Sequence, residues 1–175
     1  MRALADAERI RRFMQALGTD ARAPGRVYFT GGASAVLAGW RPSTIDVDIK
    51  LVPEDDHLLR AIPRLKEQLQ LNIELASPAD FIPVAPGWED RSPFITQEGR
   101  LSFHHFDFGA QALAKIERGH AQDLEDVRAM TRAGLIDAGQ IRRDFAVIEP
   151  ELYRYPAITA ASFRRSVEAF LSARP

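Results

Sequence analysis

Two aspartates alternate with aliphatic residues in a short segment that follows a pair of glycines. The segment is Ile45-Asp46-Val47-Asp48-Ile49, fourteen residues after Gly31-Gly32. Alternation of this kind predicts a β-strand with both carboxylates on one face and the three aliphatic side chains in a core. Like charges that lie about 6–7 Å apart along a strand repel each other. The pattern therefore predicts that a cation lies between the two carboxylates.

A divalent metal ion is the usual cation in such a place, and ligation by oxygen alone favours Mg²⁺ or Mn²⁺. Asp-x-Asp pairs also occur on solvent-exposed strands, where they bind nothing. Here aliphatic residues flank the pair on both sides, which favours a central strand. The preceding glycines predict a turn from strand to helix, where free backbone N–H groups attract phosphate. Together these features predict metal-assisted phosphate chemistry.

The first motif has a recognisable order of parts. It consists of the hydrophobic segment Val27-Tyr28-Phe29-Thr30, then Gly31-Gly32-Ala33-Ser34, then Asp46-Val47-Asp48. This order resembles the signature of the DNA polymerase β-like nucleotidyltransferase superfamily. In that signature a serine often follows the first glycine or both glycines. Here Ala33 fills the second of these places, and Ser34 is the nearest hydroxyl for a phosphate contact.

A second segment narrows the resemblance. It contains Gln111-Ala112-Leu113-Ala114-Lys115-Ile116-Glu117-Arg118 and then Asp123-Leu124-Glu125-Asp126-Val127. It resembles the Lys…Arg…Asp-x-x-Asp segment of abortive-infection-type nucleotidyltransferase toxins and their bacterial relatives. The resemblance covers about residues 26–135. It implies a small mixed sheet flanked by helices, an α/β (α+β) fold, with a C-terminal helical extension.

The resemblance also implies a third metal-binding carboxylate, opposite Asp46 and Asp48. Glu74 is the best candidate, because Leu71–Leu75 alternates like a neighbouring strand. The alternative interpretation of Glu74 is a residue that merely faces solvent. Asp80 and Asp107 are the other candidates for the third position.

Lys115 resembles the lysine of the family that contacts nucleotide phosphates, and Arg118 shares its helix face. A lysine on the surface of a helix is the alternative interpretation of Lys115. Asp126 is roughly in register with Lys115 if the helix continues, and Asp123 lies three residues before Asp126. If Gly119 ends the helix, they support Lys115 or Arg118 from a second helix, either at the site or as structural ion pairs.

The composition limits the remaining possibilities. A chain of 175 residues is one domain, or one domain with a helical extension. We expect a core with an N-terminal helix over residues 1–108 and a helical region packing on it over 109–175. Without cysteine, disulfides and thiolate zinc sites are excluded. No apolar run is long enough for a membrane span or a signal peptide, so we expect a cytoplasmic protein.

The pattern also predicts individual elements. We expect helices over 4–18, 32–39, 54–70 with a break or kink near Pro63, 109–119, 121–133, 137–148 and 159–173. Strands are expected over 26–30, 45–52, 71–75 and 100–108. Residues 76–99 are rich in proline and glycine, which predicts a long loop with a short helical turn.

The resemblance implies transfer of a nucleoside monophosphate from an NTP to a hydroxyl group, with release of pyrophosphate. The acceptor is RNA, such as tRNA, or a protein side chain, and a toxin role would add an antitoxin protein as a partner. A non-catalytic module of the same fold that binds a nucleotide or a partner is the alternative. A Rossmann reductase lacks support because no Tyr-x-x-x-Lys pair is present, and without Gly-Lys-Ser/Thr a P-loop NTPase is excluded.

Overall fold

The computed structural model of the chain describes residues 4–173. The helices in this range are α1 (Ala7–Asp20), α2 (Gly31–Ala38), α3 (Asp56–Leu69), α4 (Trp88–Arg91), α5 (Phe108–Arg118), α6 (Ala121–Arg132), α7 (Ala138–Ile148) and α8 (Ala160–Ser172). The strands are β1 (Gly25–Thr30), β2 (Asp46–Val52), β3 (Asn72–Leu75), β4 (Phe94–Glu98) and β5 (Leu101–His105). Two 3₁₀ segments cover Pro78–Asp80 and Glu149–Arg154.

The strands form one mixed sheet in the order β3-β2-β1-β5-β4. β1 is antiparallel to β2 and parallel to β5. β3 is parallel to β2, and β4 is antiparallel to β5. The predicted fold class, a small mixed sheet with flanking helices, is confirmed.

One face of this sheet is apolar and packs against α1 and α3. Alternate residues of β2 supply part of it, because Val47, Ile49 and Leu51 are buried while the residues between them are partly exposed. Phe13 of α1 meets Phe29 of β1 edge to face, with ring centroids 6.4 Å apart. The opposite face of β2 therefore carries its polar side chains.

Four local predictions differ from the structure. Ile45 lies before β2 and is 69% exposed, because the chain at Thr44 pairs with Ala5 and the strand begins only at Asp46. The predicted loop 76–99 contains an additional strand, β4, whose residues pair with β5. β5 ends at His105, and Phe108 already belongs to α5. The predicted break near Pro63 is absent, because α3 continues through this residue.

The described residues divide into two compact units. Unit 1 contains the chain up to Ser77 and Ser92–Phe106, and so all five strands. Unit 2 contains Pro78–Arg91 and the chain from Asp107 onward, and so α4 to α8. The expected boundary after residue 108 differs from this division because residues 78–91 belong to unit 2. Residues 1–3 and 174–175 of the expected regions lie outside the described part.

In unit 2, α5 packs against α6, α7 and α8. Phe145 of α7 and Phe163 of α8 meet edge to face at 5.0 Å. Within residues 4–173, no helix has the length and apolar character that crossing a membrane requires.

Candidate functional site

The polar face of β2 carries the two aspartates of the first motif. Asp46 and Asp48 are both partly exposed, and the buried Val47 between them points to the opposite face. The predicted strand thus holds the two carboxylates on one side, because strand residues i and i+2 share a face.

Glu74 of β3 lies beside this pair. Asp48 is in register with Glu74, and Asp46 is in register with Asn72. Since residues in register on neighbouring strands point to the same side of a sheet, Glu74 shares the face of the two aspartates. We call Asp46, Asp48 and Glu74 the carboxylate face.

Asn72 lies beside the carboxylate face, and the sequence did not identify it as part of the site. Its Nδ2 atom donates to Asp46 Oδ1 at 2.6 Å and to Glu74 Oε1 at 3.0 Å. Because one amide group contacts both carboxylates, it fixes their spacing without adding charge. The signal was present in Asn72-Ile73-Glu74, where the strand period puts Asn72 on the same face as Glu74.

The Gly31-Gly32 step forms the junction between β1 and α2, as predicted. Gly31 has φ of 58°, in the left-handed region that favours glycine. A Cβ atom at Gly31 would lie 2.8 Å from Asp48 Oδ2, and one at Gly32 would collide with the Thr44 hydroxyl. Both positions thus require glycine, and the first turn of α2 lies directly against a carboxylate of the face.

Arg41 also lies at this junction and was missed by the sequence analysis. Its Nη1 atom is 3.5 Å from the place that a Cβ at Gly32 would occupy. A guanidinium group beside a helix N-terminus adds positive charge where phosphate is already favoured. Its place between the two parts of the first motif is the signal that points to it.

Ser34, the residue predicted to contact phosphate, lies in the first turn of α2. It is fully buried, and its Oγ lies 2.8 Å from His105 Nδ1. Burial lowers the pKa of His105 to about 4, so the imidazole is neutral at physiological pH. The hydroxyl group therefore fastens α2 to β5 inside unit 1.

In unit 2, Lys115 lies at the centre of a group of charged side chains. Its Nζ atom is 2.6 Å from Asp126 Oδ2 and 3.2 Å from Asp123 Oδ1. The Lys115 side chain is only 5% exposed, so the interpretation of Lys115 as a surface lysine is wrong. A lysine so deeply buried keeps its charge at low cost only beside carboxylates.

Arg118 completes this group, which we call the Lys115 cluster: Lys115, Arg118, Asp123 and Asp126. Arg118 binds Asp123 through two nitrogens, at 2.6 and 2.7 Å, and its side chain is 57% exposed. Burial raises the pKa of Asp123, but the Arg118 hydrogen bonds and the nearby cations outweigh burial and lower it. Gly119 ends α5 with φ of 73°, so both aspartates approach from a second helix, α6.

The other two candidates for the third carboxylate belong to unit 2. Asp107 is buried, caps the start of α5 and pairs with Arg91 at 3.2 Å, so its carboxylate already has structural partners. Asp80 lies in the 3₁₀ segment of the same unit. Of the three candidates, only Glu74 lies in unit 1 and in register with Asp48.

The donor chemistry of the carboxylate face suits a hard cation, since its charged groups offer oxygen alone. Within the described range 4–173, no group of three or more histidine or acidic side chains is arranged to hold a metal ion. Asp46 and Asp48, which lie on one face of β2, stay the pair that the sequence predicts to bind such an ion. Glu74 is in register with them, but its carboxylate is hydrogen-bonded to Asn72.

The comparisons with known proteins bear on the same motifs. No curated protein and no solved structure shows a significant match to this chain. A family model described as "Nucleotidyltransferase of unknown function (DUF6036)" matches residues 6–164. This match includes the Gly31-Gly32 junction, the carboxylate face and the Lys115 cluster. The match confirms the resemblance to nucleotidyltransferases but does not test the narrower resemblance to abortive-infection-type toxins. The chain belongs to the matched family.

Proposed function

We propose that the protein is a metal-dependent nucleotidyltransferase that moves a nucleoside monophosphate from an NTP to a hydroxyl group. One observation carries the proposal. The first turn of α2, which offers backbone N–H groups, lies directly against Asp48 on a strand face that also holds Asp46. A phosphate-binding helix start beside paired carboxylates suits a substrate that is both a polyphosphate and a metal chelate.

Each residue of unit 1 then has a role. The glycines let the backbone approach the phosphates, and Arg41 adds charge beside them. Asp46 and Asp48 would hold Mg²⁺ or Mn²⁺, with Glu74 as the third carboxylate. Such an ion, when bound, neutralises phosphate charge and lowers the pKa of the attacking hydroxyl. The acceptor oxygen bonds to the α-phosphorus, the bond from that phosphorus to the pyrophosphate oxygen breaks, and Glu74 accepts the hydroxyl proton.

The residues of the Lys115 cluster fall into two groups by exposure. Arg118 extends to solvent and is the better placed of the two cations to contact phosphate. Lys115 is buried between Asp123 and Asp126. We assign it to the nucleotide-binding residues because its ion pairs hold the cluster together. Asp123 and Asp126 support both cations.

The resemblance to abortive-infection-type toxins supports RNA, such as tRNA, as the acceptor, with a protein side chain as the other candidate. The same resemblance supports a cytoplasmic toxin with an antitoxin partner. The Asn72 hydrogen bonds to Asp46 and Glu74 favour one competing function, a non-catalytic module, because they tie up two carboxylate oxygens.

A transfer assay separates the two functions. The protein is incubated with each α-³²P-labelled NTP, total RNA, its own cell lysate and Mg²⁺, with EDTA as the control. We expect one or more NTPs to label RNA or protein, with release of pyrophosphate and no labelling in EDTA. Binding of Mg-NTP without any labelled product would overturn catalysis and favour the module.

A further inference from the structure

The side-chain charge on the sheet face that carries the carboxylates changes from negative to positive along β2. Lys50 follows Asp48 by two residues, so it shares the face of Asp46 and Asp48. It is partly exposed, and its side chain forms no hydrogen bond or ion pair with any residue between 4 and 173. An ammonium group two strand positions from a carboxylate, yet not paired with one, is available to an anion from outside.

A second cation continues the row on β1. Lys50 is in register with Tyr28, and Arg26 precedes Tyr28 by two residues, so all three share one face. Arg26 is exposed. His104, in register with Tyr28 on β5, adds no charge, because burial lowers its pKa and outweighs the hydrogen bond to the Ser92 carbonyl. The face thus runs from Asp46 and Asp48 to Lys50 and then Arg26.

The order along this face places the cations away from the helix start. Thr30 is in register with Asp48, and the chain then turns into α2 on the side of Asp46. Lys50 lies on the other side of Asp48. In transfer to phosphorus the attacking and leaving oxygens are roughly in line on opposite sides. If the polyphosphate lies at α2, the cations lie on the side from which the acceptor enters.

We propose that Lys50, together with Arg26, binds backbone phosphates of a polynucleotide acceptor next to its terminal hydroxyl. This inference rests on the proposed function and assigns the acceptor-binding residues of that site. An ammonium group on a phosphodiester positions a strand without reading its sequence. A protein acceptor has no row of phosphates and gains nothing from the two cations.

The test measures acceptor binding without turnover. Fluorescence anisotropy of a labelled short single-stranded RNA with a free 3′-hydroxyl is recorded over a range of salt concentrations. The proteins are the wild type, Lys50→Met, Lys50→Arg, Arg26→Met and the matched control Lys66→Met. Lys66 lies on α3, which packs on the opposite, apolar face of the sheet.

We expect Lys50→Met to weaken RNA binding about tenfold and to reduce the salt slope by about one released counterion. Arg26→Met should act in the same direction, whereas Lys50→Arg and Lys66→Met should bind nearly as the wild type does. Calorimetry with Mg-ATP should give the same affinity for all five proteins. Equal unfolding temperatures of Lys50→Met and wild type confirm that folding is not the cause.

Two results with the Lys50→Met variant would overturn the inference. One is RNA binding by Lys50→Met equal to that of Lys66→Met, and the other is a loss of Mg-ATP affinity instead, which would place Lys50 on the nucleotide. RNA binding that depends on Lys50, in a wild-type protein that transfers no label, would instead overturn the proposed function. If the wild type transfers label to protein and has no affinity for RNA, the inference is overturned but the proposed transferase activity is not.

Discussion

The protein holds two groups of charged side chains, one in each unit, and they are built on opposite principles. The Lys115 cluster is balanced, with two cations and two carboxylates within hydrogen-bonding distance, and three of its four members are buried. The carboxylate face has three acids on one sheet face. Asp46 and Glu74 have no ion pair within the described range, and the uncharged amide group of Asn72 joins them by donating a hydrogen bond to each.

This difference separates stability from function. Buried charges that neutralise each other need nothing from outside, and they lock one helix against another. Like charges near solvent cost stability unless a ligand joins them. The comparison predicts that substitutions on the carboxylate face change activity and leave folding intact. Substitutions in the Lys115 cluster should change folding first.

The largest effect is expected for Asp46→Asn combined with Asp48→Asn. If the pair binds the metal as proposed, its loss removes several kcal/mol of transition-state stabilisation, so kcat should fall about a thousandfold. The free energy of unfolding should stay the same or rise slightly, because a like-charge repulsion is removed. Labelled transfer and denaturant unfolding measure the two quantities. A double variant with wild-type turnover would refute the assignment of the pair.

Lys115→Met should have the next largest effect, on stability. Methionine keeps the volume but leaves Asp126 buried without its cation, which costs about 3–5 kcal/mol and lowers the unfolding temperature by roughly 10 °C. Calorimetric unfolding measures this loss. Lys66→Met is the control and should change stability by less than about 0.5 kcal/mol. If the two variants unfold alike, the Lys115 cluster does not stabilise unit 2.

Glu74→Gln tests whether the third carboxylate belongs to the site. Glutamine keeps the hydrogen bond from Asn72 but removes the proposed base, so kcat should fall about a hundredfold with nearly unchanged affinity for Mg-NTP. Single-turnover rates and calorimetry separate the two effects. An unchanged rate would transfer the role to Asp80 or Asp107.

The smallest effect concerns Asp144, an exception to the charge balance of unit 2. Its Oδ2 atom is buried against Gly109 and has no hydrogen-bond partner among the described residues. Burial and the charge of Asp107 raise the pKa of Asp144. Because the folded pKa is raised, the ionised group lowers stability as pH rises above the unfolded value of 3.8.

Asp144→Asn should therefore stabilise the protein at neutral pH. We expect about 1 kcal/mol or less, since solvent screens the partly exposed group. The gain should disappear below pH 3.8, where the carboxyl group is protonated in both states. Unfolding curves at neutral and acidic pH measure it, and a gain that persists in acid would contradict the charge-based explanation.

The sequence predicted the parts that depend on local periodicity. Alternation identified β2 and the shared face of Asp46 and Asp48, and glycine marked the end of α5 before α6. β4 was missed because its segment follows a proline-rich stretch, and its strand conformation depends on pairing with the distant β5. The third-carboxylate role of Glu74 stays a prediction.

Local sequence patterns also could not predict the burial of two polar side chains, Lys115 and Ser34. A lysine on an amphipathic helix has the same sequence signal whether it reaches solvent or meets two aspartates from another helix. The sequence therefore left a surface position of Lys115 open as the alternative to phosphate contact, and the structure shows Lys115 buried. Ser34 is the hydroxyl nearest to the Gly31-Gly32 pair in the sequence, yet it is buried and contacts His105, seventy-one residues away. Tertiary contacts decided both positions.

The position of β3 has a consequence for the response of the carboxylate face to heat. β3 has only four residues, lies at the edge of the sheet and has β2 as its single neighbour, whereas β2 lies between two strands. Edge strands with few hydrogen bonds open locally at a free energy below that of global unfolding. We therefore expect the backbone amides of Asp46 and Asp48 to exchange slowly with solvent and that of Glu74 to exchange rapidly. Catalysis would decline through fraying of β3 at temperatures where the rest of the sheet is still folded.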